Sequence, residues 1–316
     1  MPHGAVLFPG QGAQVVGMGR DVYEKSKAGR AVFDLADRAL GFSLSGVIFN
    51  GPEEKLTETD ISQPAILATS MALVEAAREA GWKGAAAGTA GLSLGEYTAL
   101  VFAGSIALED ALVLVRKRGA YMREAGRRNP GAMLSVIGLD EPAVLDIVKE
   151  ASSAGVIVAA NWNCPGQVVL SGQVPALEAA EKLAAAKGAM KAVFLKVDGA
   201  FHSPLMQDAA DKLARDLAGV KIVTPAVPVA ANVTGDFVSE PDEIRRLLAR
   251  QVTSSVLWEK SFRRLASAGA ASFTEIGPGR VLTGLAKRID RKVPVEAVGD
   301  MEAVSRFAAS AEGAEK

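Results

Sequence analysis

Ser93 stands in Gly91-Leu92-Ser93-Leu94-Gly95. The Gly-x-Ser-x-Gly spacing suits a sharp strand-to-helix turn, with glycines where a side chain would collide and the hydroxyl held at the tip. A serine hydroxyl is a weak nucleophile until a base removes its proton, and imidazole is the usual base near neutral pH. The chain has two histidines, His3 and His202, and His3 lies at a terminus, where order is commonly lost. A serine–histidine reaction therefore has to use His202. Taken singly, Ser93 also fits an ordinary glycine-flanked loop and His202 an ordinary structural histidine. With one cysteine and two scattered histidines, a Cys/His zinc site is not expected.

Acyl chemistry at a serine also needs N–H donors for the tetrahedral oxyanion, each worth about 2.7–4 kcal/mol of barrier. Leu94, directly after the nucleophile, offers one from the start of the next helix. The turn Pro9-Gly10-Gln11-Gly12 follows a first apolar strand and offers a second at Gln11. A phosphate-binding loop is the alternative for this turn. However, a dinucleotide fingerprint would place glycine where Val15 stands, and no Gly-Lys-Ser/Thr follows. Asp198, four residues before His202, is one candidate to orient the imidazole.

The elements that must carry these residues alternate between helix and strand. Ala5 to Phe8 reads as a buried strand, residues 19–40 and 66–80 as amphipathic helices, and Gly81 as a cap. The polar stretch 51–64 between those helices reads as a connection. Ser105 to Ala125 reads as a helix whose acidic start and basic end complement its dipole. From Gly131 to Asp198 the order is strand (Ala132–Gly138), helix (Glu141–Ser152), strands (Gly155–Asn161 and Gln167–Ser171), helix (Ala176–Lys187) and strand (Lys191–Val197). That β-α-β-β-α-β order is a ferredoxin-like unit inserted into a larger α/β domain. Downstream, Pro204–Leu217, Pro241–Gln251 and the stretch after Gly279 through Arg288 read as helices. Val227–Val233, Ser272–Ile276 and Val293–Val298 read as strands, and the tail AEGAEK as frayed. The order of strand and loop, then serine, then histidine is that of an α/β-hydrolase-like sheet.

At 316 residues the chain has room for about two domains, or one large domain with an insertion. Apolar residues make up 49% and the net charge is -1, so nothing points to a nucleic-acid or membrane-surface partner. The start MPHGAVLFPG has no basic n-region, and no run reaches the ~18 apolar residues of a membrane span. A single cysteine fits a reducing compartment. A cytoplasmic chain is expected, and without a heptad or a long apolar edge, a monomer.

Together the stretches FPGQGAQ (8–14), GLSLGEY (91–97), VRKRGAYM (115–122), NWNCPGQVVLSG (161–172), GAFHS (199–203), ARQVTSSVLWEKS (249–261) and EIGPGRVLTGLAKR (275–288) closely resemble the malonyl-CoA:acyl carrier protein transacylase family. The resemblance implies an α/β-hydrolase-like large domain, 1–128 and 199–316, with an inserted ferredoxin-like small domain, 129–198. It implies a ping-pong S-malonyltransferase of fatty acid biosynthesis, or a trans-acting malonyltransferase of a polyketide synthase. A serine thioesterase is the rival reading. Ser93 matches the nucleophile, His202 its base, and Gln11 and Leu94 the oxyanion hole. Arg118 matches the arginine that pairs with the substrate carboxylate. Gln251 matches the position whose backbone carbonyl orients the histidine. No cofactor is implied as permanently bound: coenzyme A arrives with the malonyl-CoA substrate and phosphopantetheine on the acyl carrier protein. Arg116, Lys117, Arg127, Arg128, Lys287 and Arg288 become candidate contacts for an acidic carrier. The chain departs from the family at Leu92, where many members carry histidine, and at Leu257, where a polar residue is frequent. Phe201 resembles the malonyl-preferring form of the site.

Overall fold

The computed structural model describes residues 4–314; His3 lies outside them. In chain order the elements begin with β1 (Ala5–Phe8), α1 (Arg20–Lys25), α2 (Lys27–Leu40), α3 (Leu44–Asn50), α4 (Glu53–Thr57), α5 (Thr59–Glu79), β2 (Gly88–Gly91), α6 (Gly95–Phe102) and α7 (Leu108–Arg128). They continue with β3 (Ala132–Ile137), α8 (Glu141–Ala151), β4 (Ile157–Cys164), β5 (Gln167–Gly172), α9 (Val174–Ala186) and β6 (Lys191–Phe194). The last are α10 (Gln207–Ala218), β7 (Val229–Ala231), β8 (Asp236–Val238), α11 (Pro241–Gln251), α12 (Trp258–Ser267), β9 (Phe273–Ile276), α13 (Val281–Ile289), β10 (Val295–Val298) and α14 (Met301–Ala314).

Two sheets organise them. The larger has six strands in the order β10-β9-β1-β2-β7-β8, parallel except for the β7–β8 pair at its edge. The smaller is antiparallel, in the order β4-β5-β3-β6, the ferredoxin-like arrangement. The fold is α/β, a large parallel-sheet domain carrying a smaller antiparallel one. β1 and β2 lie side by side at the centre of the large sheet, and every residue of both is buried. Parallel sheets buried on both faces need no polar alternation, so AVLF and GTAG suffice. β2 has few β-branched residues; it is held by its neighbours β1 and β7 and by Thr89 Oγ1 donating to Val6 O at 2.8 Å.

Several expectations are corrected. The helix expected over 19–40 is two, because Ser26 leaves helical geometry and its Oγ caps α2 by accepting from Gly29 N–H. The connection expected over 51–64 contains α4 and the start of α5. Pro64 suggests a break, yet α5 runs through it because its flanking residues are buried nearly all round, and packing outweighs the missing hydrogen bond. β4 extends to Cys164, so the hairpin narrows to Pro165-Gly166. α3, α12, α14 and β8 have no counterpart in the sequence reading, and α14 carries the tail as helix to Ala314.

The carboxyl ends of β1, β2 and β7 lie adjacent, and the chain leaves them through Pro9–Gly12, Leu92–Leu94 and Asn232. In an open α/β sheet this edge is where ligands bind. The stretch after α11 then stitches onto the small sheet: Val256 N–H donates to Ala160 O (2.8 Å), Trp162 N–H to Val256 O (2.9 Å) and Ser255 Oγ to Ala159 O (2.7 Å).

Candidate active site

Ser93 sits at the tip of the β2–α6 turn with φ 52°. The flanking glycines are forced by sterics. A Cβ on Gly91 would lie 1.9 Å from the backbone of Gly95, and one on Gly95 would lie 2.2 Å from Phe8 O. His202 also has a left-handed backbone, φ 59°, on the segment between β6 and α10. Its Nε2 accepts from Ser93 Oγ at 2.8 Å. Its Nδ1 faces Gln251 O at 2.8 Å. A carbonyl only accepts, so Nδ1 carries the proton and Nε2 of the neutral ring is bare toward the serine. Burial, then the nearby Arg118 charge, lowers the His202 pKa to about 4, which keeps the ring neutral and ready to take a proton.

Asp198 does not orient the imidazole: its Oδ2 instead accepts from Thr59 Oγ1 at 2.7 Å. Gln251 does so through its backbone, at the last residue of α11, and its side chain also enters the site.

Arg118 lies mid-way along α7 and is 1% exposed. Nη1 donates to Gln63 Oε1 (2.7 Å), and Nη2 to Ser93 Oγ (3.1 Å) and Gln251 Oε1 (2.9 Å). Its Nε is buried and has no protein partner, and no ion pair among the described residues includes Arg118. A buried guanidinium facing neutral partners is costly, and burial lowers its pKa. Three neighbouring basic residues of α7 are engaged elsewhere. Arg116 donates to Leu40 O and stacks on Phe42, Lys117 pairs with Asp216, and Arg123 pairs with Glu58 and Asp60.

Ser93, His202, Arg118, Gln11 and Leu94 all line one cavity of about 390 Å³ between the two sheets. The large domain contributes Gly10 to Gly12 and Leu92 to Leu94; the small domain contributes Met133 and Ser135 from β3, Asn161 and Asn163 from β4, and Val169 from β5. Phe201 and Met122 add apolar wall, and Leu92 fills a place beside the nucleophile. Gln11 and Leu94 line the same cavity as Ser93; an oxyanion formed there would need N–H donors.

Three residues were not singled out in the sequence. Gln63 holds Arg118 from α5, inside the stretch read as a polar connection. Asn232, just beyond β7, accepts from Ser93 N–H at Oδ1 (2.7 Å) and donates from Nδ2 to Gly91 O (2.7 Å). Glu96, in the first turn of α6, is 2% exposed, and its Oε2 accepts from Asn232 N–H (3.0 Å) and Gln251 Nε2 (2.7 Å). Burial raises its pKa to about 7, against the pull of those donors and of Arg118. Glu96 was visible as an acid at a helix start, which has a sufficient explanation in the helix dipole. Its burial was not visible.

A strand–turn–helix serine, a histidine held by a backbone carbonyl, and a cleft between a parallel sheet and a ferredoxin-like domain define a serine acyl-transfer site. The family model for acyl transferase domains matches residues 6–307. The malonyl CoA-acyl carrier protein transacylase of Bacillus subtilis (strain 168) is 44% identical over 301 residues, 95% of this chain and 94% of that one. The chain belongs to the malonyl-CoA:acyl carrier protein transacylase family. Among solved structures it is similar to the acyl-carrier-protein-S-malonyltransferase of Bartonella henselae, with a TM-score of 0.94 and 40% identity, covering 98% of this chain and 99% of that one. It is equally similar, at TM-score 0.94 and 39% identity over 98% of this chain and 99% of the other, to a malonyl-transacylase in complex with a type II polyketide synthase acyl-carrier protein.

Proposed function

We propose that this protein moves a malonyl group from malonyl-CoA to the phosphopantetheine thiol of an acyl carrier protein, through a malonyl ester on Ser93. The observation that carries this reading is Arg118: a buried guanidinium with an unpartnered Nε and no carboxylate against it, 3.1 Å from the nucleophile. A substrate carboxylate would supply the missing charge, and a guanidinium grips it with parallel bonds.

In the first half-reaction Ser93 Oγ attacks the thioester carbonyl carbon and its proton passes to His202 Nε2. The carbonyl oxygen becomes an oxyanion served by the N–H groups of Gln11 and Leu94. When the C–S bond breaks, the coenzyme A sulfur takes the proton from Nε2 and leaves. The second half-reaction repeats these steps with the carrier's thiol as the nucleophile and Ser93 as the leaving group. His202 returns the proton to Oγ. The Gln251 carbonyl keeps the Nδ1–H tautomer throughout, in the role a triad aspartate has elsewhere. The ester divides one thioester exchange into two steps. No permanently bound cofactor takes part in these steps.

In this reading residues 129–198 form the small domain and residues 1–128 with 199–316 the large one, with the transfer site at their junction. Arg127 and Lys287 are exposed and enter no ion pair among the described residues, which makes them the better carrier-docking candidates. Arg128 pairs with Glu124, and Arg288 donates to Gln167.

Intact mass spectrometry after incubation with malonyl-CoA tests the reading. The expected result is one malonyl adduct, absent in Ser93→Ala, that disappears when carrier protein is added and reappears on the carrier. Rapid release of free malonate without carrier loading would instead indicate a thioesterase. A polyketide carrier is a second acceptor to try, because a structure of the same fold was captured with one.

A further inference from the structure

One carboxylate in the site is consumed by no step of the transfer. Glu96 Oε2 accepts from Asn232 N–H at 3.0 Å and from Gln251 Nε2 at 2.7 Å. Those two residues hold much of the remaining machinery. Asn232 Oδ1 accepts from the Ser93 N–H at 2.7 Å. Gln251 Nε2 also lies 3.0 Å from Ser93 O, while its Oε1 accepts from Arg118 Nη2 at 2.9 Å.

A primary amide can present either end to a neighbour, because one end donates and the other accepts. An ionised carboxylate only accepts, so it draws the NH2 end of Gln251 toward itself and toward Ser93 O. The oxygen end is then left for Arg118. A flipped amide would set its NH2 against the guanidinium, two donors with no acceptor between them. Gln63 holds the other guanidinium nitrogen from the opposite side, 2.7 Å away. The orientation of Arg118 therefore depends on which way the Gln251 amide points.

We propose that Glu96 is a positioning residue: its acceptor-only carboxylate sets the polarity of the Gln251 amide and thereby aims Arg118 at the substrate's free carboxylate. The inference rests on the transacylase reading above. It also accounts for a fully buried acid with no direct ion pair. Through Gln251, Glu96 is the carboxylate most closely linked to Arg118, one amide away, close enough to offset part of its charge while leaving the guanidinium face free for substrate. Burial works against the ionised form, and the two N–H donors with the Arg118 charge oppose that tendency.

The test compares the initial rate of Ser93 acylation from malonyl-CoA and from acetyl-CoA, by rapid-quench intact mass, in the wild type, Glu96→Gln, Gln251→Leu and the double variant. Gln251 holds His202 by its backbone, so Gln251→Leu leaves that bond in place. Glu96→Gln keeps shape and can still accept from Asn232, but its own amide lets Gln251 flip. Malonyl loading at low donor concentration is expected to fall roughly 10- to 100-fold, the value of a hydrogen bond to a charged group. In Glu96→Gln acetyl loading is expected to fall no more than about threefold, since no carboxylate is oriented. Gln251→Leu also loses the bond to Ser93 O, so there the malonyl-to-acetyl ratio is the readout, and it should fall as far as in Glu96→Gln. The double variant is expected to be no worse than the poorer single one, because Glu96 acts through Gln251. Equal losses for both donors, or losses that multiply in the double variant, would overturn the proposal. Should Glu96→Gln fail to fold, Glu96→Asp serves instead. It is shorter but still acceptor-only, and is expected to be slower while keeping the malonyl preference; loss of that preference would count against the idea. A wild-type protein that takes no malonyl would sink the functional reading instead.

Discussion

Ser93 and His202 are the two non-glycine residues with positive φ among the described residues, at 52° and 59°, and they face each other across 2.8 Å. A left-handed backbone costs a residue with a side chain about 1–2 kcal/mol, so each must be held by several partners. Ser93 is held by Asn232 at its N–H and by Gln251 Nε2 at its carbonyl. His202 is held by the Gln251 carbonyl at one ring nitrogen and by Ser93 at the other. Gln251 thus braces both strained residues, from opposite ends of one side chain and backbone.

The two buried titrating groups beside this pair give opposite pH responses. His202 is lowered to about 4 by burial and the Arg118 charge, and Glu96 is raised to about 7 by burial. Between about 4 and 6.5 the unfolded chain holds a histidine proton that the folded chain does not, so this term makes stability rise with pH. Between about 4.5 and 7 the folded chain holds the Glu96 proton that the unfolded chain has lost, so that term makes stability fall with pH. Each is worth up to about 3 kcal/mol, and where they overlap they offset. Urea titrations from pH 4.5 to 6.5 should therefore show little slope from this pair. His202→Ala should leave stability falling with pH, and Glu96→Gln should leave it rising. The same slope in both variants would contradict the assignment. Acetyl loading, which needs no oriented carboxylate, should hold below pH 6, where an ordinary histidine base would be mostly protonated, and fall as pH approaches 4. Malonyl loading should fall earlier, as Glu96 takes up its proton near pH 7.

Arg118 is predicted to govern donor choice. In Arg118→Ala, kcat/KM for malonyl-CoA should drop by about 30-fold or more, the cost of stripping a buried charge partner. Acetyl-CoA should lose far less. Arg118→Lys should not restore malonyl transfer, because an ammonium cannot serve Gln63, Gln251 and Ser93 from one planar fork. Steady-state kinetics with both donors decides it; equal losses would refute the carboxylate role.

Asn232 is predicted to act on turnover by holding the nucleophile's turn. Asn232→Ala leaves Ser93 N–H and Gly91 O without their partners, a loss of roughly 1–3 kcal/mol. kcat should fall about tenfold or more while KM for malonyl-CoA changes little. The thermal midpoint should drop as well. A variant with wild-type kcat would show that the turn holds without this side chain.

Much of the site was legible in the residues themselves. Gly91 and Gly95 admit no side chain, so the motif encodes a local turn. A chain with one internal histidine leaves one base to pair with Ser93. The ferredoxin-like order could be read because each of its strands and helices has its own period and turn residues. Arg118 is a different case. Nothing in α7 distinguishes it from Arg116 or Arg123 except that it faces inward, and only resemblance to known transacylases picked it out beforehand. Glu96, Asn232 and Gln63 escaped entirely, and Pro64 misplaced a helix start. The reason is physical: a local turn depends on a few neighbouring residues, whereas the worth of a buried polar group depends on partners far away in the chain. Glu96 meets Asn232 and Gln251 at separations of 136 and 155 residues. The sequence by itself determined the turn that carries Ser93, the one internal histidine that can meet it and the sheet that presents them; only the tertiary structure decided which polar and charged groups are buried together, and so what holds Ser93 and what lies against Arg118.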